Sequence, residues 1–258
     1  MHRIAAVSFL NSKPLIEGLE RRADVQLMLE VPSRLHETLR NGSADVALLP
    51  VIDYQRLEGL TLLPAGGIVS DGETLTVRVF SRVPIQQITS LACDWHSHTS
   101  VALARIILSR QYNLHPEMVD IRSAAHDPQQ ARLLIGDKVV CEEPQGFPYQ
   151  LDLGREWKTM TGLPFVFAAW MGRDGEDYTA LAQVLRAAKE SGMKNIDGII
   201  KKFAVPLGWP VQLAWQYLTQ NLTFDIRSHE LQAIRLFHQV AAEEGIIANP
   251  PRALKVFE

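Results

Sequence analysis

The chain has 258 residues, a formal net charge of −3 and 47% hydrophobic residues, enough apolar surface for one large domain or two small lobes. The slightly acidic balance argues against nucleic acid or an anionic membrane as a partner and favours a small molecule. Cys93 and Cys141 lie far apart and outside any CxxC or histidine-rich segment, so we predict reduced, buried thiols and neither a zinc site nor a disulfide framework.

The sequence contains no targeting or membrane-spanning pattern. Only about eight mostly apolar residues precede Asn11, too few for a signal peptide. No apolar run approaches the roughly 20 residues of a membrane span. We therefore expect a cytoplasmic protein without a membrane segment.

The chain opens with a predicted strand, residues 4–7, that leads through a polar loop into a helix start. This first loop, residues 8–14, reads Ser-Phe-Leu-Asn-Ser-Lys-Pro. Pro14 suits the first position of a helix, and Asn11 or Ser12 can cap the exposed backbone donors. Because free N–H groups at a helix start attract anions, the loop is either an ordinary capped helix start or part of an anion site.

Strands and helices alternate through residue 81, a pattern that predicts a parallel sheet. The predicted elements are a strand at 25–31, a helix from Pro32 to Asn41-Gly42, a strand at 44–50, a helical turn at 51–54, strand segments at 60–64 and 67–69, and a long strand at 74–81. A turn-forming sequence, residues 70–73, follows the segment at 67–69 and forms a second loop. Its Ser70 and Gly72 either shape a turn or contact a ligand.

A new series of strands and helices begins after Ser81, and the pattern of strand, Ser/Thr loop and helix recurs. The predicted elements are strands at 90–94, 118–121, 137–141 and 163–171, helices at 101–108, 128–134 and 154–161, and a third polar loop at 95–100. Helical patterns fill most of the remaining sequence, at 181–188, 196–203, 211–218 and 231–242.

This order predicts an α/β protein with two lobes and a ligand cleft between them. Residues 1–81 and 172–258 form the first, discontinuous lobe, and residues 82–171 form the second lobe, which is inserted into the first. The oligomeric state is not predicted.

Five segments, in this order along the chain, resemble the chorismate dehydratase family. They are residues 7–15, 44–50, 68–72, 98–103 and 162–168, and the strings Asn-Ser-Lys-Pro and Leu-Pro-Phe-Val-Phe-Ala are the most distinctive. The resemblance implies a two-lobed periplasmic-binding-protein-like fold of type II. It also implies a carbon–oxygen lyase that dehydrates chorismate to 3-enolpyruvylbenzoate, the first step of the futalosine route to menaquinone, without metal or organic cofactor.

The substrate that the resemblance implies is a dianion, and the three polar loops supply candidate residues for it. Helix starts at the first and third loops could each hold one carboxylate through N–H and hydroxyl groups. Asn11 is the catalytic candidate, donating to the substrate or to its departing hydroxyl, and the substrate's own enolpyruvyl carboxylate is a possible base. The substrate-binding candidates are Ser8, Ser12, Ser70, Gly72, Ser97, Thr99, Ser100 and Trp170, the last of which belongs either to the core or to the cleft wall.

The titratable residues allow further interpretations. His96 and His98 could act as acid, base or anion partner, or be solvated loop residues. Asp137 follows Gly136 and suits a turn carboxylate, and the family resemblance of the Ile-Gly-Asp segment implies a structural role at the cleft. Glu142 and Glu143 would point to opposite faces of the predicted strand and cannot form a carboxylate pair. Two other functions stay open: a solute-binding protein without chemistry, and the sister enzyme 1,4-dihydroxy-6-naphthoate synthase.

Overall fold

The computed structural model describes residues 1–94, 97–122, 130–142 and 144–258. Its strands are β1 (His2–Val7), β2 (Val25–Glu30), β3 (Val46–Pro50), β4 (Leu60–Ser70), β5 (Val77–Ser81), β6 (Ser90–Cys93), β7 (Glu117–Asp120), β8 (Ala131–Ile135), β9 (Tyr149–Asp152), β10 (Phe165–Arg173) and β11 (Leu222–Thr223). Its α-helices are α1 (Lys13–Ile16), α2 (Pro32–Arg40), α3 (Asp53–Arg56), α4 (His98–Tyr112), α5 (Lys138–Cys141), α6 (Leu153–Thr161), α7 (Thr179–Lys194), α8 (Ile196–Ile199), α9 (Val211–Gln216) and α10 (Ser228–Glu243).

The first sheet has the strand order β11-β4-β10-β3-β1-β2. β1 lies parallel to β2 and β3, as the alternation of strands and helices predicts, whereas β10 lies antiparallel to β3 and β4. β1, β3 and β4 therefore run in the same direction, and their carboxyl ends meet at one edge. That edge carries the first loop (residues 8–14) and the second loop (residues 70–73).

The second sheet has the strand order β7-β6-β8-β5-β9. β6 lies parallel to β7 and β8, and β5 is antiparallel to β8 and β9. Helix α4 begins at His98, shortly after β6 ends, and is largely buried. The predicted succession of strand, polar loop and helix is therefore present around the third loop.

The chain changes sheets earlier than the predicted boundaries at residues 81 and 171. It leaves the first sheet after Ser70, enters the second at Val77, and returns to the first with β10. β5 thus pairs in the second sheet, although the sequence places it in the first lobe. β10 pairs in the first sheet, although the sequence places residues 165–171 in the second lobe. Strand pairing decides this membership, and pairing partners are not visible in the local sequence. As folding units, the two lobes remain a prediction.

Two predicted elements in the second sheet are wrong. Residues 131–134, which belong to the helix predicted at 128–134, form most of β8 (Ala131–Ile135), whose buried Leu133 lies between β5 and β6. Residues 138–141, predicted as strand, form the short helix α5. Gly136 separates the two elements with a φ of +67°, a conformation that turns the chain out of the sheet.

The predicted C-terminal helices are confirmed, and two of them pack on the first sheet. They correspond to α7, to α8 with the π-helical turn Ile200–Ala204, to α9 with the π-helical turn Tyr217–Asn221, and to α10. α7 packs on β4 and α10 on β10. No helix in the described segments has the length and apolar run that crossing a bilayer requires.

Candidate active site

A cavity lies between the two sheets, at the carboxyl ends of β1, β3 and β4. The carboxyl edge of a parallel sheet is a common place for a ligand. Apolar side chains line much of the cavity, among them Phe9, Leu48, Ile68, Ile135 and Phe167. Such walls fit a flat, partly apolar ring.

The polar groups that line the cavity are neutral. They are Asn11, Thr74, Thr76, Ser97, Thr99, Ser100 and Tyr217. No Lys, Arg, His, Asp or Glu belongs to the lining formed by the described residues. An anion in this cavity would therefore be held by hydroxyl, amide and backbone N–H groups.

The start of α4 is the clearest candidate for an anion site. The first backbone hydrogen bond of this turn joins Val101 N–H to Ser97 O at 3.0 Å, so the N–H groups of residues 98–100 precede the helical ladder. α4 runs for 15 residues, long enough for its dipole to add to these donors. Ser97, Thr99 and Ser100, all predicted as binding residues, line the cavity here.

Thr99 also joins the start of α4 to the first sheet. Its Oγ1 accepts a hydrogen bond from the backbone N–H of Ile52, 3.3 Å away, just beyond the end of β3. The hydroxyl hydrogen of Thr99 is therefore available to donate to a ligand.

The first loop differs from the predicted capped helix start. Residues 10–12 form a 3₁₀ turn before α1, which has only four residues, and neither Asn11 nor Ser12 makes a side-chain cap. Ser12 is fully buried, and its hydroxyl donates to the carbonyls of Val7 (2.7 Å) and Phe9 (2.9 Å). The prediction of a capped helix start at this loop is therefore wrong, because Ser12 fastens the loop to the end of β1.

Asp137 holds the same loop from the second sheet. Its Oδ2 accepts from Leu10 N–H (3.4 Å), and its Oδ1 accepts from Trp209 Nε1 (3.1 Å). Burial raises the pKa of Asp137, and these two hydrogen bonds with the charge of Lys13 act in the opposite direction. Asp137 thus has a structural position beside the cleft, as the sequence predicts.

The segment that enters the second sheet brings two threonines to the cavity. Thr74 and Thr76 flank Leu75, whose φ of +65° is unusual for a residue with a side chain. The carboxylate of Asp152 accepts from the N–H groups of Thr74 and Leu75, both at 2.9 Å, and from Arg155 N–H at the start of α6. Burial raises the pKa of Asp152, while these hydrogen bonds and Arg78 lower it.

Five predicted binding residues do not line this cavity, and Ser12, described above, is one of them. Ser8 is exposed at the first loop, and Trp170 is fully buried within β10. Ser70 is fully buried and Gly72 lies just beyond it; both pack against the start of α6, where a Cβ on Gly154 would lie 2.7 Å from Ser70 Oγ and 2.5 Å from Gly72 O. The binding roles of Ser8, Ser70, Gly72 and Trp170, and of Ser12, remain predictions.

Sequence reasoning missed Thr74, Thr76 and Tyr217 as cavity residues. The two threonines are two positions apart where the chain crosses between the sheets. Because the sequence pattern predicts a strand over residues 74–81, it does not identify them as cavity residues. Tyr217 lies in an ordinary helical pattern, and nothing in the local sequence marks it as a cavity residue. Its ring is almost completely buried and stacks on Trp209, with 5.1 Å between ring centroids.

Of the two candidate histidines, the structure describes His98. His98 Nδ1 lies 2.8 Å from Asp53 Oδ1, so its ring is directed toward the segment after β3 and does not line the cavity. His96 and Glu143 lie outside the described residues. Glu142 follows helix α5 directly, so the predicted strand placement of Glu142 is wrong.

The two cysteines differ in exposure. Cys93 is buried, as predicted, and burial raises the pKa of its thiol to about 12. Cys141 is exposed, contrary to prediction, because it ends the short helix α5 and not a buried strand. Within the described residues, no group of three or more His, Cys, Asp and Glu side chains is arranged to hold a metal ion.

Comparison with known proteins places the chain among enzymes of quinone biosynthesis. The family model described as menaquinone biosynthesis matches residues 2–243. A chorismate dehydratase of Thermus thermophilus is 28% identical over 260 residues, covering 87% of this chain and 94% of the relative. A chorismate dehydratase of Campylobacter jejuni is 25% identical over 234 residues, covering 89% of this chain and 88% of the relative.

Solved structures share the fold at lower identity. A protein from Archaeoglobus fulgidus has a TM-score of 0.76 and 17% identity, covering 95% of this chain and 98% of that one. The periplasmic aliphatic sulphonate binding protein SsuA from Escherichia coli has a TM-score of 0.68 and 14% identity, covering 100% of this chain and 93% of SsuA. The predicted periplasmic-binding-protein-like fold is therefore confirmed.

Proposed function

Because the chain belongs to the menaquinone biosynthesis family, we propose that it is a lyase that dehydrates chorismate to 3-enolpyruvylbenzoate. The observation that carries the proposal is the cavity between the sheets, where the start of helix α4 faces an apolar wall and Asn11. Chorismate has an apolar diene ring, which suits the apolar wall, and two carboxylates, which need hydrogen-bond donors such as those at the start of α4. We further propose that the enzyme acts in the cytoplasm, at the first step of the futalosine route.

The start of α4 would bind the ring carboxylate of chorismate. The backbone N–H groups of Thr99 and Ser100 and their hydroxyls donate to an anion at this point without a positively charged side chain. When the ring loses a proton, negative charge spreads through the diene into that carboxylate. Donors that are already oriented toward it stabilise the charge as it develops.

The proton leaves the ring carbon that bears the enolpyruvyl ether, and the hydroxyl leaves the neighbouring carbon. The new double bond completes the aromatic ring, and proton and hydroxide together form the released water. The described cavity lining has no carboxylate or imidazole that could accept the proton. This supports the substrate's own enolpyruvyl carboxylate as the base.

Asn11 would contact the substrate through its carboxamide, next to the leaving hydroxyl. It is the only carboxamide in the described lining of the cavity, and the loop that carries it is fixed by Ser12 and Asp137. A fixed loop keeps the carboxamide in place during the reaction, which lowers the entropic cost of reaching the transition state.

A head-to-head assay tests this function. The purified protein is incubated separately with chorismate and with the cyclised intermediate that 1,4-dihydroxy-6-naphthoate synthase uses, and products are identified by mass spectrometry and NMR. We expect 3-enolpyruvylbenzoate from chorismate and no reaction of the other compound. Turnover of the later intermediate alone would assign the chain to the sister enzyme, and binding of chorismate without turnover would make it a solute-binding protein.

A further inference from the structure

We infer that Tyr217, held by Thr76, fixes the carboxamide of Asn11 so that its Oδ1 accepts a hydrogen bond from the ring hydroxyl of the substrate. Tyr217 is thus a positioning residue that acts through Asn11. The inference rests on the proposed function for the identity of the substrate.

The hydroxyl of Tyr217 has a fixed position. It lies 2.7 Å from Thr76 Oγ1, and both residues line the cavity beside Asn11. The ring is 1% exposed and stacks on Trp209 at an interplanar angle of 20°. Trp209 is itself held by its hydrogen bond to Asp137. The phenol therefore cannot turn away from the cavity without disturbing its contacts to Thr76 and Trp209.

The neighbouring groups define which way the Asn11 carboxamide faces. Burial raises the pKa of Tyr217, and hydrogen bonding to Thr76 and Asn11 acts in the opposite direction. The Oδ1 of Asn11 is buried and has no hydrogen-bond partner among the described residues. We therefore assign the Asn11 amide nitrogen as the donor to the phenol oxygen, which leaves the Tyr217 hydroxyl to donate to Thr76.

A buried carbonyl oxygen without a donor is costly, so Oδ1 should be satisfied by the bound ligand. The chorismate dianion carries one O–H group, the ring hydroxyl, because both of its carboxyl groups are ionised. That hydroxyl is the group that leaves, and the water it becomes can also donate to Oδ1. The orientation set by Tyr217 therefore places the leaving group of the substrate against Asn11, which accepts from the hydroxyl, whereas the sequence predicts that Asn11 donates.

A double-mutant cycle tests whether Tyr217 acts through Asn11. The variant Tyr217→Phe keeps the stacked ring and removes only the hydroxyl, and we expect its kcat/KM for chorismate to fall about tenfold, the scale of one misplaced hydrogen bond. In an Asn11→Ala background the same change should have almost no further effect. Tyr54→Phe is the matched control, because the Tyr54 hydroxyl lies away from the cavity, where it donates to Ala253 O and accepts from Lys255 N–H. This variant should keep the wild-type kcat/KM.

Thr76→Val gives an independent variant, because it removes the group that holds the Tyr217 hydroxyl. It should lower kcat/KM in the same direction and lose its effect in the Asn11→Ala background, and it replaces Tyr217→Phe in the cycle if that variant fails to fold. The inference would be overturned if the folded Tyr217→Phe or Thr76→Val variant kept the wild-type kcat/KM. It would also be overturned if the substitution lowered kcat/KM as much in the Asn11→Ala background as in the wild type.

Failure of the proposed function would look different. If the wild-type protein binds chorismate without turnover, the same cycle is measured as dissociation constants by calorimetry. Weaker binding that depends on Asn11 would then support the inference, and additive effects would overturn it. No binding of chorismate to the wild-type protein would overturn both proposals, because the inference names this substrate.

Discussion

Acidification should destabilise the protein through one buried histidine, His238 on α10. Its ring is 2% exposed and stacks on Tyr54. Nε2 donates to the carbonyl of Val51 at 2.9 Å, and Nδ1 accepts from the Gln55 side chain at 3.0 Å. Both ring nitrogens of the neutral imidazole thus make hydrogen bonds. A proton on Nδ1 would remove its acceptor role and face the N–H group of the Gln55 side chain.

The size of the effect follows from the pKa of His238. Burial lowers this pKa from 6.5 to about 4, with the charge of Arg252 acting in the same direction and the Val51 carbonyl against it. The unfolded chain therefore binds a proton at higher pH than the folded protein does. The stability that the neutral ring provides is fully present above pH 6.5 and is lost as the pH falls toward 4. At about pH 5 the loss amounts to about 2 kcal/mol.

The assay is chemical unfolding of the wild type and of His238→Gln at about pH 7.5 and about pH 5. Glutamine cannot ionise, so we expect the pH-dependent loss to be about 2 kcal/mol smaller in the variant. The raised pKa values of the buried Asp137 and Asp152 act in the opposite direction, and they are the same in both proteins. An equal loss of stability in the wild type and in His238→Gln would refute the reasoning.

Two further predictions concern the packing around the cleft. Gly154→Ala should lower the free energy of unfolding by about 1–3 kcal/mol despite the better helix propensity of alanine, since its Cβ would lie 2.5 Å from the carbonyl of Gly72; a more stable variant in urea unfolding would contradict this. Asp137→Ala should cost about 1–3 kcal/mol, because it leaves the N–H groups of Leu10 and Trp209 without their acceptor, whereas Asp137→Asn keeps an acceptor and should cost less. Equal unfolding midpoints for the two Asp137 variants would show that these hydrogen bonds contribute nothing.

Local patterns predicted much of the fold. The β1 strand, the buried strand β3 and the long helices α4, α7 and α10 follow from apolar periodicity, and they place the first and third loops at the cleft. The predictions failed where elements are short. Four residues of α5 contain two valines and resemble a strand, and only pairing with β5 and β6 makes a strand of residues 131–135.

The candidate site was predictable in part for the same reason. Asn11, Ser97, Thr99 and Ser100 follow closely after strands in the sequence, and the sequence alone therefore brings them to the cavity. Tyr217 reaches the site through a contact with Thr76, 141 positions earlier in the chain. Such a contact depends on how the two sheets meet, and no local pattern records it.

The role of Asn11 in dehydration is tested most directly by turnover of chorismate. Wild-type protein and Asn11→Ala are compared for kcat and kcat/KM, with 3-enolpyruvylbenzoate identified by NMR and with folding of the variant verified by its unfolding midpoint. We predict that the wild type forms this product and that Asn11→Ala loses about a hundredfold or more in kcat/KM, the scale of one lost transition-state contact. Formation of the product by a folded Asn11→Ala variant at the wild-type kcat and kcat/KM would contradict the role assigned to Asn11.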